Sequence, residues 1–512
     1  MAALQVLSII TERHISGIFA INRHRRYRRK LKKGSPDKKA VLQASSQWWG
    51  SDAHWFPAGT PPSKHNQVTA LIDGDSYFNS LYAQLNQAQH YIYITGWAFT
   101  PFIPLNRDET ITPEQLVESQ LLTVLLRLAG RVPVRLLLWN GARFIFQPST
   151  RLMMRVEELI NSQAKQANVN LICRLDPTSH PTHCHHQKSV MIDGRLAYVG
   201  GMDLTTFKGD RWDTHNHSLR SGTNWHDIQV QIEGEAVADV EKSFRQRWQA
   251  VSGDNTLPSR PPEFESDWNV PVQVVRTVPL NVYGFARKGE YGIFHTYIEA
   301  IKNASQLIYI ENQYLWSPQI TEALINKMND KGAENLRIVI VLPARAHSSK
   351  GDNDQHVRQL RKADNDRGIL SIYCLYAFGV GNGIAPFRYR PTYLHAKVAI
   401  IDDTWMLVGS ANLNNRGLVT DSEMNVLIKD KILAHRTRLT LWAEHLGLPV
   451  EKLEVADPIQ LISDEWERQA KINAQIIQEK TKPLISSIHR YEVGHMPGSW
   501  LIEEAEALTL EH

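Results

Sequence analysis

Cysteine is scarce: Cys173, Cys184 and Cys374 are the only three in 512 residues. Their spacing fits neither a disulfide framework nor a thiolate metal site, so a reducing, cytosolic compartment is the expectation. Long apolar runs are missing too. No stretch reaches the roughly 18 uninterrupted apolar residues that a membrane-spanning helix needs. Glu12, Arg13 and His14 break the one apolar run near the start before it could serve as a secretory signal. With 42% hydrophobic and 21% charged residues, the composition excludes a collagenous or mainly disordered chain. Single hydrophobic cores stop growing at about 250–300 residues, so a chain of this length is expected to hold two.

Net positive charge is confined to one place. The formal net charge is +4, yet residues 1–40 alone carry +9, leaving −5 for everything else. The excess lies in residues 23–33, RHRRYRRKLKK. Such a cluster can dock on anionic lipid at about 1 kcal/mol per basic side chain, while the mildly acidic remainder disfavours nucleic acid as a partner.

The chain repeats itself once. Residues 78–94 (FNSLYAQLNQAQHYIYI) and 294–310 (FHTYIEAIKNASQLIYI) both read as an amphipathic helix running into a buried strand. A second strand follows each, at VRLLLW (134–139) and LRIVIVL (336–342). Residues 186–203 then align with 395–412 without a gap. Alternating helices and strands predict α/β layering in each half, and so long a period means a duplicated domain rather than a solenoid. The expected boundaries are a basic tail at 1–40, an irregular lead-in at 41–68, a first lobe at 69–253 and a linker at 254–271. A second lobe at 272–450 and a C-terminal extension at 451–512 complete the chain.

Each half carries His-x-Lys-x-x-x-x-Asp: His186, Lys188 and Asp193, then His395, Lys397 and Asp402. One such match arises by chance about 0.05 times in a chain of this composition, whereas two in register within a duplication do not. Strand periodicity puts His and Lys on one face with the intervening residue turned away. Lysine supplies fixed positive charge and histidine a titratable nitrogen, which together make an anion site. The small, polar turns that follow place Gly201, Asp203, Ser410 and Asn412 as expected donors to phosphate oxygens. Two half-sites facing one phosphorus suit in-line displacement, one histidine attacking and the other protonating the departing oxygen, without a metal or other cofactor. A nucleophilic histidine needs an acceptor at its far nitrogen, and Asp227 and Glu423, each opening an alternating apolar run, are the candidates. Asp193 and Asp402 stand in the motif, though capping a turn suits them better than proton transfer. His183, His185 and His215 are expected to be hydrogen-bonded scaffolding, and Trp97, Trp212 and Trp225 to pack in the core or at its rim.

With these residues the chain resembles the phospholipase D superfamily, marked by paired HKD motifs, and within it the eukaryotic type. The resemblance extends to GDRWDT (209–214), WHDI (225–228) followed by Glu233 and Gly234, and IYIENQY (308–314). It also takes in YLHAK (393–397), GSANLN (409–414), DSE (421–423) and LWAEHLG (441–447). It covers about residues 69–450 and implies a two-lobed, monomeric α/β sandwich around one shared active site. It further implies hydrolysis of phosphatidylcholine-like lipids to phosphatidic acid through a phosphohistidine on His186, with His395 as acid and then base. Transfer to an alcohol is the corresponding side reaction. A cardiolipin synthase-like phosphatidyltransferase and an HKD nuclease are the alternatives. Nothing before residue 69 resembles calcium- or phosphoinositide-binding modules, so peripheral attachment through the basic tail is the expected route to a membrane.

Overall fold

The computed structural model describes residues 55–494, apart from 57–59, 109, 143–147, 180–182, 221, 346–349 and 382–385. The basic tail and the end of the C-terminal extension therefore lie outside the described residues.

In the first half, β1 (Asn66–Ile72), β2 (Ile92–Gly96), β3 (Val134–Trp139), β4 (Leu171–Asp176), β5 (Ser189–Ile192), β6 (Leu196–Gly200) and β8 (Ile228–Gly234) form one sheet, in the order β1-β8-β6-β5-β2-β3-β4. The two-residue strand β7 (Trp225–His226) stands apart from it. In the second half the order is β9-β18-β17-β16-β11-β12-β13. These strands are β9 (Val272–Val278), β11 (Leu307–Asn312), β12 (Arg337–Val341), β13 (Leu370–Val380), β16 (Lys397–Ile401), β17 (Trp405–Gly409) and β18 (Glu423–Ile428). The two orders correspond strand for strand, as the repeat requires. β10 (Glu290–Tyr291), β14 (Phe387–Pro391) and β19 (Ile488–Arg490) add to the second sheet, and β15 (Tyr393–Leu394) pairs with β7.

The period-2 rule sorts the layers. Ile92 and Ile94 face helices at Asp73–Asn86, Leu121–Ala129 and Thr150–Gln166, whereas Tyr91 and Tyr93 face inward. Their counterparts do the same: Ile308 and Ile310 pack under helices, Leu307 and Tyr309 inward. Inward residues of both sheets join in one core, so the lobes are packed sheet to sheet with helices outside. Parallel pairing of β2 with β3 and β3 with β4 requires crossovers, which the helices Leu121–Ala129 and Thr150–Gln166 supply.

Two boundaries differ from the sequence expectation or refine it. The first sheet begins at Asn66, not at residue 69, because Asn66, Gln67 and Val68 already pair with Gly234, Glu233 and Ile232. The C-terminal extension is woven into the second lobe: β19 pairs with β13, and Trp466 is fully buried in the shared core. Residues 253–271 form neither helix nor strand.

Candidate active site

The two His-x-Lys segments enter strands β5 and β16, at the sheet ends where the lobes meet. Each is stapled to the opposite lobe before its side chain is considered. The His186 amide donates to the Ser422 carbonyl at 2.8 Å, and the Ser422 amide donates back to the Cys184 carbonyl at 3.0 Å. In the same way the His395 amide donates to the His226 carbonyl at 2.8 Å, and Tyr393 to Asn224 at 2.8 Å. Ser422 and His226 immediately precede the two candidate acceptors, and this decides how those acceptors are shared.

The pairing is crossed. His186 of the first lobe has its Nδ1 3.0 and 3.2 Å from the Glu423 carboxylate of the second. His395 of the second has its Nδ1 2.5 Å from Asp227 Oδ2 of the first. Each imidazole is thus oriented by a carboxylate from the other half of the duplication, so neither lobe holds a complete site. His186 Nδ1 also lies 3.1 Å from the Ser410 carbonyl. A carbonyl only accepts, so Nδ1 carries the proton and Nε2 is left with a free lone pair. Burial, reinforced by the ammonium groups of Lys188 and Lys397, holds the His186 pKa well below its ordinary value, keeping the ring neutral. Burial pushes Glu423 well up from the usual carboxylate range and raises Asp227, although Lys397 pulls the latter back.

The lysines are fixed by the same strand geometry. Lys188 Nζ donates to the His186 carbonyl at 2.8 Å and pairs with Asp203 at 3.1 Å. Lys397 Nζ donates to the His395 carbonyl and, at 3.2 Å, to Gln313. Burial lowers the Lys397 pKa to about 7, against the attraction of Asp227. Gln187, between His186 and Lys188, turns away to Arg247 and the Glu423 carbonyl, and Ala396 points into the shared core.

Several expected site residues do other work. Asp193 and Asp402 belong to the motif but not to the site. Asp193 accepts the amides of Gln89, His90 and Tyr91 at 2.7–2.9 Å, and Asp402 those of Ser305, Gln306 and Leu307 at 2.8 Å. Both tie the turn entering β2 or β11 to the far end of the neighbouring strand. The Gly201 and Ser410 amides are not free for phosphate, because they donate to Ile228 and Met424 carbonyls at 3.1 and 3.0 Å. Gly201 serves by having no side chain: a Cβ there would lie 2.1 Å from Asp227 Oδ1. Ser410 Oγ instead braces Glu423 at 2.5 Å. Asp203 holds Lys188 and accepts the Trp97 amide at 2.8 Å, and as a carboxylate it cannot donate to an anion. Asn412, its counterpart, is buried with its side-chain oxygen unpartnered.

Around the rings, Trp225 is buried 5.0 Å from His395 and carries the Arg211 guanidinium 4.2 Å over its own ring, and Trp97 meets His186 edge-on at 6.2 Å. Trp212 is half-buried beside Arg107. His185 pairs with Asp176 at 3.2 Å and His183 lies 3.5 Å from Asp421, both scaffolding, whereas His215 is exposed. Gln313 and Arg211 were not singled out from the sequence individually, although both sit in quoted motif segments.

A family model described as "Phospholipase D" matches residues 84–224, and one described as "Cardiolipin synthase, PLD-like domain" matches residues 297–442. Phospholipase D A of Dictyostelium discoideum is 26% identical over 482 residues, covering 76% of this chain and 36% of that protein. Phospholipase D alpha 4 of Arabidopsis thaliana is 26% identical over 505 residues, covering 75% of this chain and 65% of that protein. The chain thus spans between about a third and two-thirds of the length of these relatives. Among solved structures, phosphatidylserine synthase from Haemophilus influenzae Rd KW20 superposes with a TM-score of 0.50 at 13% identity, covering 93% of this chain and 96% of that one. That likeness concerns the fold. With one matching model in each lobe, an internal duplication and relatives that align with three-quarters of its length, the chain belongs to the phospholipase D superfamily.

Proposed function

We propose that this protein is a phospholipase D, cleaving phosphatidylcholine-like glycerophospholipids to phosphatidic acid and the free head-group alcohol. The observation that carries the reading is the crossed pair of histidines, each held at Nδ1 by a carboxylate of the other lobe. His186 Nε2 attacks phosphorus, forming a P–N bond while the bond from phosphorus to the head-group oxygen breaks. His395, as an imidazolium stabilised by Asp227, gives that oxygen its proton. Water then enters from the vacated side. His395 takes a proton from it as the P–N bond breaks, releasing phosphatidic acid and restoring neutral His186. Lys188, Lys397 and the Asn412 amide offset the charge on the equatorial oxygens in a buried, low-dielectric setting. An alcohol replacing water gives transphosphatidylation. The displacement itself requires no metal.

Incubation of the purified protein with phosphatidylcholine, phosphatidylglycerol and single-stranded DNA, each with and without ethanol, tests the reading. Choline release with phosphatidic acid, diverted to phosphatidylethanol by ethanol, is expected. A second reading is a phosphatidyltransferase, favoured by the cardiolipin synthase description of the model matching the second lobe. Condensation of phosphatidylglycerol into a diphosphatidyl lipid without choline release would select it. Nucleotide release from the DNA would select a nuclease.

Among the described residues no helix is long and apolar enough to cross a membrane. Attachment is proposed to be peripheral, through the basic residues 23–33. Deleting residues 1–40 should then weaken binding to anionic liposomes at low salt; unchanged binding would remove the idea.

A further inference from the structure

Residues of three motif segments that the displacement chemistry leaves unused come together beside it. WHDI brings His226, IYIENQY brings Glu311, and LWAEHLG brings Glu444 and His445. Asp73, at the start of the helix Asp73–Asn86, and His217 complete the group. Their side chains are all buried, with His217 and His226 fully removed from solvent, and Glu311, Glu444 and His445 come from the second lobe.

Four side chains form a closed circuit through five atoms, Asp73 contributing both carboxylate oxygens. His226 Nδ1 lies 2.9 Å from both Asp73 Oδ1 and Glu444 Oε1, and His217 Nε2 lies 3.2 Å from Glu444 Oε1 and 3.5 Å from Asp73 Oδ2. The edges of a tetrahedron with metal–ligand bonds of about 2.0–2.1 Å are about 3.3–3.4 Å, close to this spacing. The far nitrogens are equally telling. His226 Nε2 is 2.9 Å from Glu311 Oε2, and His217 Nδ1 is 3.4 Å from Asp213 Oδ2. A carboxylate behind each histidine is the outer arrangement that fixes imidazole tautomers around zinc. Asp73 Oδ2 and His226 Nδ1, both facing the centre of the group, have no partner of hydrogen-bonding geometry although buried. Asp73 also adopts a left-handed backbone, φ 62°, which a non-glycine residue adopts at a cost.

We propose that Asp73, His217, His226 and Glu444 bind one divalent zinc ion that joins the two lobes. Two carboxylates and two neutral imidazoles neutralise the ion, so the buried site carries no net charge. The all-protein arrangement that pairs every carboxylate has both histidines as imidazolium. That places charged rings 5.5 Å apart, and still leaves Asp73 and Glu444 competing for the single proton on His226 Nδ1. The site is structural. It has four protein ligands and no open position, and its effect on the reaction would pass through Asp227, the residue after His226.

The test is elemental analysis of the full-length protein, purified without metal-chelating resin and dialysed against EDTA in the cold. About one zinc per chain is expected, with X-ray absorption giving two imidazole and two oxygen neighbours and no sulfur at about 2.3 Å. The double variant Asp73→Asn, Glu444→Gln should retain less than a tenth of that zinc. Should the variant fail to fold, the absorption spectrum of the wild type decides alone. Wild-type protein free of zinc whose melting temperature is unmoved by added zinc chloride would overturn the proposal. So would sulfur ligation, or a folded double variant that keeps the metal. Calcium or manganese in place of zinc would overturn the tetrahedral assignment.

Discussion

Replacing Asp193 tests whether the third residue of the HKD motif belongs to the chemistry. Its carboxylate accepts three backbone amides at 2.7–2.9 Å, those of Gln89, His90 and Tyr91, and its residue exposure is 8%. A hydrogen bond to a charged group contributes about 1.5–3 kcal/mol, and water at the half-buried Gln89 and His90 amides recovers part of that. Asp193 also sits at φ 59°, where alanine is less tolerated than aspartate. Asp193→Ala should therefore cost about 3–5 kcal/mol of stability, and Asp193→Asn, which keeps one acceptor oxygen and suits the backbone, about half as much. For a unit the size of one lobe this is roughly 10 °C in melting temperature for alanine. The assay is thermal unfolding followed by circular dichroism, beside turnover per folded molecule measured well below the transition. Turnover should stay within about threefold of wild type. A variant of unchanged melting temperature but with turnover down a thousandfold would refute the reasoning and return Asp193 to the site.

Other predictions follow from the crossed histidines and their surroundings. His186→Ala and His395→Ala should each lower turnover by at least about 10⁴-fold, and the His395 variant should accumulate phosphate label on His186; label on His395 in the wild type would reverse the roles. Gly201→Ala should lower kcat by about 10–10³-fold with little change in KM, because its Cβ would displace the Asp227 carboxylate that holds His395; normal kcat would refute this. Lys397, with a folded pKa of about 7 against an ordinary 10.5, binds fewer protons folded than unfolded between those values. Stability should therefore rise across pH 7 to 10.5, by at most about 1.4 kcal/mol per pH unit, and Lys397→Met should flatten that rise in urea titrations. His186, lowered in the fold, makes the opposite end acid-sensitive: native protein resists its protonation, so stability should fall as pH drops below 6.5, and His186→Gln should lessen that fall.

The composition, the duplicated helix-to-strand pattern and the paired His-x-Lys segments were legible because each depends on local periodicity. Ile92 and Ile94 facing out while Tyr91 and Tyr93 face in follows from the period-2 strand, wherever the sheet goes. The same holds for Gln187 and Ala396 turning away from the site. Partnership across 168 or 237 positions is a different matter. Asp227 and Glu423 could be named as acceptors from the strands they open, but only sheet-to-sheet packing decided that each serves the histidine of the other lobe. Packing likewise consumed the Gly201 and Ser410 amides, which a linear reading left free, and turned Asp203 toward Lys188. The cluster of Asp73, His217, His226 and Glu444 is the extreme case. Its members lie in four separate segments, and no spacing joins them until the lobes close. Sequence dictates which face of an element is apolar; which charges meet in the interior is settled by how two such faces come together.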